Sequence, residues 1–322
     1  NSLLFILLML GFVAGYQAYL YKQLNPGVGV RENIDTWAWR PDKLNNQLTP
    51  LRGKPQIQFT QNWPRLDGAT AYPIYASAFY ALSVLPEDFH EWEYLANSRT
   101  PEAYNKIVKG NADIIFVAQP SGGQKKRAEE SGVTLIYTPF AREAFVFIVN
   151  VDNPVNSLTE QQVRDIFSGA ITNWRTVGGN DQEIQTWQRP EDSGSQTVMQ
   201  SQVMKNVRMI SPQETEVASM MEGMIKVVAE YRNTNNAIGY TFRYYATQMN
   251  ADKNIKLLAI NGIAPTAENI RNGKYPYIVD AFMVTRENMT SETQKLVEWF
   301  LTPQGQSLVE DVGYVPMYKT LH

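Results

Sequence analysis

Arg189 stands four residues ahead of a Ser193-Gly194-Ser195 turn, and a helical pattern follows from Gln196 to about Met204. The start of a helix leaves backbone N–H groups unpaired, and the helix dipole favours negative charge there. Serine hydroxyls add donors, and arginine presents a rigid fork that can bond two oxygens at once. This combination suits a tetrahedral oxyanion. The same residues would also form an ordinary surface turn with an N-capping serine, so an anion site would need donors from elsewhere in the chain.

The composition excludes several classes of function. The 322 residues include 29 Lys and Arg against 32 Asp and Glu, whereas a nucleic-acid-binding protein would carry a basic excess. The chain has no cysteine and only two histidines, which excludes disulfides, thiolate catalysis and cysteine-ligated metals. No histidine lies near the two serines of the motif in sequence. We therefore expect no catalytic residue, no metal, no cofactor and no nucleic-acid partner, and a protein that is not an enzyme.

The first 55 residues differ from the rest of the chain. Residues 3–21 form a mainly apolar run which, at about 1.5 Å per residue, is long enough to span a hydrocarbon core of about 30 Å. We therefore expect residues 1–24 to be a membrane anchor helix, with a cleaved signal peptide and a buried helix as alternatives. Residues 25–55 are rich in Pro, Gly, Asn and charge, and contain Trp37 and Trp39. This composition predicts a juxtamembrane linker or a strap over the following domain.

From residue 56 onward, strand and helix patterns alternate, which predicts an α/β layered fold with room for two domains or one large one. The predicted strands are 56–59, 113–118, 133–137, 143–150, 184–188, 237–242, 255–260 and 281–285. The predicted helices are 74–84, 100–109, 123–131, 158–167, 196–204, 218–231, 292–301 and 303–311. The Arg189 motif thus follows a strand and opens a helix, which is the context that an anion site needs.

Several further motifs follow one another along the chain. They are Asn153-Pro154-Val155, Leu158-Thr159 through Asn173-Trp174, Val177-Gly178-Gly179, Ala237-Ile238-Gly239-Tyr240, Thr302-Pro303 and Gly313-Tyr314-Val315-Pro316. Together with the Arg189 to Ser195 segment, they resemble the phosphate ABC-transporter substrate-binding proteins over about residues 56 to 318. The resemblance implies a type II periplasmic-binding-protein fold, in which two α/β lobes flank a cleft and two crossing strands join them. Lobe one would comprise residues 56–142 and 277–322, and lobe two residues 143–276.

The resemblance also implies a set of ligand-binding residues. From lobe one they are Thr70 and Ala71 in the first loop, Thr100 with its near competitor Ser98 at a second helix start, and Gln119 after a buried strand. From lobe two they are Arg189, Ser193, Gly194 and Ser195, with Glu191 as an acid that orients the guanidinium. Two of these assignments have a simpler explanation. Thr70 and Ala71 would suit a turn and helix cap, and Thr100-Pro101-Glu102 would suit an N-cap.

Gln119 departs from the family pattern. Phosphate-preferring members place an aspartate just after the buried strand, where its carboxylate accepts a hydrogen bond from protonated phosphate and repels fully ionised sulfate. Here the segment from Val117 to Ser121 contains no acid. Glutamine can donate or accept, so it neither requires a ligand proton nor repels sulfate. The sequence therefore leaves open which oxyanion is preferred.

The function implied by the resemblance is capture of phosphate or a similar tetrahedral oxyanion in an interlobe cleft, for delivery to an ABC permease. The binding domain would be extracytoplasmic, periplasmic or at the cell surface, and held to the membrane by the N-terminal helix. A sensory or scaffold module on the same fold, read by another membrane partner, is the first alternative. A hydrolase using Ser193 or Ser195 is the second, and it lacks a base positioned by sequence.

Overall fold

The computed structural model describes residues 9, 11–17, 35–205, 207–212, 217–218, 221–230 and 235–321. Residues 11–17 are helical. The rest of the predicted membrane anchor lies outside the described residues. Within the described part of the chain, no helix is both long enough and apolar enough to cross a membrane.

Strands and helices alternate along most of the chain, as the sequence pattern predicts. The strands are β1 (Leu66–Gly68), β2 (Ile114–Val117), β3 (Leu135–Asn150), β4 (Ser157–Leu158), β5 (Gln185–Thr186), β6 (Ala237–Phe242), β7 (Ile255–Leu257), β8 (Ala259–Ile260), β9 (Ile278–Arg286) and β10 (Val315–Pro316). The helices are α1 (Tyr72–Leu82), α2 (Arg99–Lys109), α3 (Gly122–Glu130), α4 (Glu160–Ser168), α5 (Gly194–Val198), α6 (Met221–Glu230), α7 (Ala267–Arg271), α8 (Ser291–Phe300) and α9 (Pro303–Val312).

One sheet extends through both halves of the molecule in the order β1-β2-β9-β3-β6-β5, with β7 and β10 also paired to β3. In the first half, β1 runs parallel to β2, and β9 pairs antiparallel with both β2 and β3. In the second half, the end of β3 pairs antiparallel with β6 and β7, and β5 runs parallel to β6. Helices cover the sheet in both halves, so parts of its central strands are entirely apolar. The run from Ala144 to Val149, for example, is fully buried.

The buried side chains divide into separate groups, which define two lobes. One group surrounds α1, α8 and α9 and is centred on Phe116, Phe140 and Phe300. The largest group surrounds α4, α6 and β6 and includes Phe147 and Tyr240. Strands β3 and β9 carry the chain between the two groups, so the cleft between the lobes lies beside these strands.

Strand β3 corrects one predicted boundary. Residues 133–137 and 143–150 were expected as separate strands, but a single strand runs from Leu135 to Asn150. Pro139 interrupts the pattern in the sequence because it has no N–H to donate. The pairing with β9 shifts register between Pro139 and Ala141, and this irregularity lets the strand continue.

Other predicted elements are changed by the tertiary packing. The strand expected at 56–59 is wrong, since only Phe59 forms a bridge, with Ser83. The strand at 184–188 shortens to Gln185–Thr186, and the helix at 196–204 becomes α5 followed by a π-helical stretch, Met199–Met204. By contrast, the capping box at Thr159 is present, and α2 ends at Gly110 with φ 75° as expected.

The segment from residue 35 to residue 55, called the strap below, packs against lobe one. The Trp39 ring meets the Tyr72 ring edge-to-face at 5.8 Å between centroids, and the backbone N–H of Thr49 donates to Ser77 Oγ at 3.0 Å. Further along, Arg52 forms ion pairs with Asp311 and Glu310 of α9. These contacts place the strap along α1 and α9, beside the mouth of the cleft.

Candidate functional site

A cavity of about 550 Å³ lies between the lobes. Its lining includes Thr70, Ala71, Ser98 and Thr100 from lobe one, and Arg189, Ser193, Gly194 and Ser195 from lobe two. The structure therefore brings together eight of the nine residues expected to bind a ligand. The ninth, Gln119, is not part of the lining.

Arg189 is buried, with 9% of its surface exposed. Its backbone N–H donates to the Tyr240 hydroxyl at 3.0 Å and to Gln196 Oε1 at 3.2 Å, which holds the residue beside α5. Its side-chain Nε and Nη1 are buried without a hydrogen-bond partner. Burial lowers the pKa of the guanidinium to about 10, so it remains a cation at neutral pH. Because a buried unpaired donor costs about 1–3 kcal/mol, oxygens of a bound anion would be favoured here.

The two serines of the motif have different roles. Ser193 is the N-cap of α5, and its Oγ accepts the backbone N–H of Gln196 at 3.3 Å. Ser195 Oγ is buried and has no partner, and the residue is 2% exposed. The N-capping serine expected in the simpler interpretation is therefore present. The unpaired hydroxyl of Ser195 and the unpaired nitrogens of Arg189 are the features that such a surface turn does not explain.

From lobe one, the start of α1 faces the cavity. Ala71 is its N-cap and makes no side-chain cap hydrogen bond, while Thr70 is hydrogen-bonded to the Tyr314 hydroxyl. The first turn of a helix carries N–H groups that lack intrahelical partners. In this helix, however, the N–H groups of Tyr72 and Ile74 already bond to the carbonyls of Ala69 and Ala71, and Pro73 has no N–H. The donors that this helix start can offer opposite the Arg189 motif are therefore the backbone N–H groups of Thr70 and Ala71.

Ser98 and Thr100 are positioned differently from each other. The Ser98 Oγ donates to Asp67 Oδ2 at 2.7 Å and accepts from Lys106 Nζ at 2.6 Å, so its hydroxyl already has two partners. Asp67 is buried, and its Oδ2 lies 3.0 Å from Lys106 Nζ. The interpretation of Thr100 as an N-cap is wrong, because the N-cap of α2 is Ser98 and Thr100 lies within the first turn. Its side chain is 6% exposed and approaches lobe two.

Arg99 lines the cavity and was not identified from the sequence. It has a left-handed backbone, with φ 67°, and its charge contributes to the lowered pKa of Arg189. Arg99 and Arg189 belong to different lobes but line the same cavity, so their like charges repel each other, and a bound anion would relieve this repulsion. A basic residue at a helix start opposes the helix dipole, and that unfavourable placement was a signal in the sequence.

Glu191 does not orient Arg189 as expected. Its Oε1 accepts a hydrogen bond from Gln200 Nε2 at 2.7 Å. None of the ion pairs found among the described residues involves Arg189. Arg189 is held instead through its backbone N–H, and its guanidinium forms no ion pair within the described residues.

Gln119 lies at a contact between the lobes. Its Nε2 donates to Ser201 Oγ, and its Oε1 accepts from Gln202 Nε2 at 3.0 Å. Both partners belong to the π-helical stretch that continues α5. Gln119 thus occupies its two polar groups in bridging the lobes.

Asp192 forms a second contact between the lobes, called the Asp192 bridge below. Its carboxylate accepts from Ser121 Oγ at 2.5 Å and from Arg127 Nη2 at 2.9 Å, and its backbone carbonyl accepts from Gln124 Nε2 at 3.0 Å. All three donors lie at or in α3 of lobe one. Burial raises the pKa of the Asp192 carboxyl, but the bonds from Ser121 and Arg127 outweigh it and lower the pKa overall. The loop that carries the Arg189 motif is therefore held against the facing lobe.

Glu143, on β3 where the chain passes between the lobes, also lines the cavity and was not identified from the sequence. It is 4% exposed, and its carboxylate accepts the backbone N–H groups of Ala144 at 2.7 Å and Tyr244 at 2.9 Å. Burial raises the pKa of this carboxyl to about 7, against the lowering effect of the backbone bonds and Arg243. The cavity wall thus contains a carboxyl that changes charge near neutral pH.

Within the described residues, no group of three or more His, Cys, Asp and Glu side chains could hold a metal ion. The groups that line the cavity can recognise a ligand by hydrogen bonds and charge. Donors from two helix starts, a buried guanidinium and an unpaired hydroxyl converge there.

Comparison with known proteins gives a consistent result. The phosphate-binding protein PstS of Bacillus subtilis is 27% identical over 209 residues, which cover 65% of this chain and 64% of that protein, slightly less than two thirds of its length. The PstS of Borreliella burgdorferi is 26% identical over 218 residues, covering 66% of this chain and 74% of that protein.

Solved structures show the same fold. A Clostridium perfringens protein determined with bound phosphate superimposes with a TM-score of 0.62 at 22% identity, over 80% of this chain and 100% of that one. An ABC-type phosphate transport receptor from Vibrio cholerae gives a TM-score of 0.58 at 20% identity, over 79% of this chain and 100% of that one.

The resemblance found in the sequence and the two-lobed α/β architecture are therefore confirmed. A model of the PBP superfamily domain matches residues 73–304. Since this match covers more than two thirds of the chain, the protein belongs to the PBP superfamily.

Proposed function

We propose that this protein is a solute-binding protein that captures phosphate or a similar tetrahedral oxyanion between its lobes for ABC-type uptake. The observation that carries the proposal is the set of buried donors without partners on residues that line the cavity, namely Arg189 Nε, Arg189 Nη1 and Ser195 Oγ. A buried polar group without a partner calls for an explanation, and a bound anion would supply one for three donors of a single motif. The PstS relatives are named as phosphate-binding proteins, which supports the same ligand class.

The proposed binding residues are those whose donors remain available. Arg189, Ser195 and the N–H groups at the starts of α1 and α5 would hold the oxyanion, with Ser193, Gly194, Thr70, Ala71 and Thr100 around it. Ser98 would act indirectly, because its hydroxyl is occupied by Asp67 and Lys106. Gln119 would act by bridging the lobes.

Isothermal titration of the chain with phosphate, sulfate and arsenate tests the proposal. We expect at least one of these anions to bind, and Arg189→Ala to weaken binding by at least tenfold, since a hydrogen bond to a charged group contributes about 1.5–3 kcal/mol. Arg175→Ala is the matched control, because Arg175 is an exposed arginine of the same lobe paired with Asp181. Absence of binding for all three anions at neutral pH would contradict the proposal.

The cellular setting follows from the same proposal. Residues 1–24 would anchor the protein to the membrane and the binding domain would be extracytoplasmic, where an ABC permease would receive the ligand. Lobe one would comprise residues 56–142 and 277–322, and lobe two residues 143–276. The protein would bind its solute without chemical change. Fractionation of cells that express the chain, with and without residues 1–24, tests the anchor.

A further inference from the structure

The cavity is much larger than a tetrahedral oxyanion requires. Such an anion has five heavy atoms and displaces on the order of 100 Å³, a few times the volume of a water molecule in the liquid. The cavity measures about 550 Å³, which falls in the range of about 300–1,000 Å³ typical of sites for organic molecules. Besides the Arg189 motif and the residues of lobe one that face it, the lining includes aromatic and acidic side chains.

This volume does not result from lobes that stand apart. A methyl group in place of a Gly194 hydrogen would lie 3.2 Å from Thr100 Oγ1 and 3.4 Å from Ala118 Cβ, so the two lobes already touch beside the anion motif. The Asp192 bridge joins them a short distance along the chain. The space is therefore present while the lobes are in contact.

Five aromatic side chains line the cavity. They are the fully buried Phe116 and the four residues called the aromatic wall below, namely Trp39, Phe242, Tyr245 and Tyr314. Aromatic faces favour flat or apolar groups, which they contact over a large area at little cost in side-chain entropy. The wall combines residues of the strap, of lobe two and of the C-terminal part of lobe one.

Trp39 adds a specific signal. Its indole Nε1 is buried and has no hydrogen-bond partner. The ring is held in place by its edge-to-face contact with Tyr72, and the strap is closed by the bond from Gln47 N–H to the Ala38 carbonyl at 2.7 Å. A buried indole N–H usually finds an acceptor, and this one has none among the described residues.

We propose that the ligand is an organic phosphate or phosphonate, whose phosphoryl group binds at Arg189 and Ser195 and whose uncharged organic group lies along the aromatic wall. This inference rests on the proposed function, because it assumes an oxyanion at the Arg189 end. Two charge arguments support it. Inorganic phosphate carries at least one P–OH proton at neutral pH, whereas a monoester dianion carries none.

The first argument concerns acceptors for that proton. At the position where phosphate-preferring relatives have an acid, this chain has Gln119, whose polar groups are engaged with Ser201 and Gln202. A monoester dianion needs only donors, and Arg189, Ser195 and two helix starts supply them. The second argument concerns the organic group. Glu143 and Asp280 line the cavity beside β3 and β9, and they would repel a second negative charge.

Titration of the full chain at pH 7.5 with phenyl phosphate and with inorganic phosphate tests the inference. We expect phenyl phosphate to bind at least tenfold more tightly, because its ring replaces water along the aromatic wall. In Trp39→Ala, the ratio of the dissociation constant for inorganic phosphate to that for phenyl phosphate should fall by at least fivefold. In Trp37→Ala, the control, it should not change, since Trp37 is an exposed neighbour outside the lining.

Trp39→Phe keeps an aromatic ring against Tyr72 and replaces Trp39→Ala if that variant does not fold. It should also lower the ratio of the two dissociation constants. The outcomes separate the two proposals. If inorganic phosphate binds and phenyl phosphate binds no more tightly, the inference is overturned and the proposed function stands. If neither binds, the inference fails, and the titration with sulfate and arsenate decides whether the proposed function stands. If phenyl phosphate binds more tightly but the Trp39 variants give the same ratio as the parent, the assigned aromatic wall is wrong.

Discussion

Arg189 carries a positive charge into a buried position where the surrounding protein does not neutralise it. Its backbone is anchored by Tyr240 and Gln196, while Nε and Nη1 remain without partners. A buried guanidinium without a counterion is unfavourable for folding, since burial removes its hydration. Under the proposed function, this residue serves binding at the expense of stability.

A first prediction separates these two effects of Arg189. Replacing Arg189 with Met, which has similar length and no charge, should remove oxyanion binding while leaving the ligand-free protein as stable as the parent, or more stable by about 1–2 kcal/mol. Urea unfolding without ligand and titration with phosphate measure the two quantities. A large loss of stability in the ligand-free variant would show that Arg189 has structural partners that balance its charge.

Glu143 gives a second prediction, which concerns pH. Burial raises the pKa of its carboxyl from 4.5 to about 7, so the folded protein binds this proton more tightly than the unfolded chain does. The stability that this proton contributes is present below about pH 4.5 and is lost as the pH rises through about 7. The free energy of unfolding should therefore fall by roughly 3 kcal/mol over that interval from this group alone.

Urea unfolding between pH 4.5 and 8 should show a smaller decline in Glu143→Gln than in the parent. The variant should be less stable overall, because its amide NH₂ must face a backbone N–H of Ala144 or Tyr244. Two donors then face each other, and one hydrogen bond is lost. The slope with pH is therefore the quantity to compare. Glu298→Gln, on the exposed face of α8, is the control and should retain the parent slope. Equal slopes in Glu143→Gln and the parent would contradict the assignment.

At the scale of elements, the loop before α5 does more than present Arg189. Asp192, in the middle of this loop, has a left-handed backbone with φ 63° and bonds to Ser121 and Arg127 of the facing lobe. The same loop therefore carries the Arg189 motif and contacts the facing lobe. Lobe closure and ligand binding are coupled whenever the ligand contacts both lobes.

Asp192→Asn tests this coupling, because asparagine tolerates the left-handed backbone but cannot form the ion pair. We expect oxyanion affinity to fall by about two- to tenfold, which is modest because the ion pair is partly exposed. Asp181→Asn, which removes an exposed ion pair with Arg175 in the same lobe, should leave affinity unchanged. Titration of both variants measures the difference, and equal affinities would show that the Asp192 bridge does not assist binding.

At the scale of the whole molecule, the strap is built into lobe one. Gln304 of α9 is 1% exposed and is the centre of this attachment. Its Oε1 accepts from Gln56 N–H at 3.0 Å and from Trp299 Nε1 at 3.1 Å, and its Nε2 donates to the carbonyls of Arg52 and Lys54. One side chain thus joins the end of the strap to two helices.

Gln304→Leu should destabilise the protein by about 3 kcal/mol, because it leaves several buried polar groups without partners. It should also allow proteolytic cleavage between residues 35 and 55 under conditions in which the parent resists. Gln294→Leu, at an exposed position of α8, is the control and should change neither property. Urea unfolding and limited proteolysis measure the two effects. A strap that stays protected in Gln304→Leu would show that Trp39 and Arg52 suffice to hold it.

Local features of this protein were predictable from the sequence because they depend on neighbouring residues. The capping box at Thr159, the end of α2 at Gly110 and the strand from Ala237 to Phe242 follow from patterns a few residues long. The helix start after Arg189 is of the same kind. The order of motifs along the chain then indicated the family and its fold.

The tertiary structure decided which distant residues meet around the cavity. Trp39 and Glu143 line it, although they lie far from Arg189 in sequence and form no motif with it. Gln119 hydrogen-bonds to Ser201 across the interlobe contact, and Glu191 accepts a hydrogen bond from Gln200. Both side chains therefore have partners elsewhere in the folded chain. A sequence pattern identifies a donor, but only the packed molecule determines whether that donor is already satisfied or remains free for a ligand.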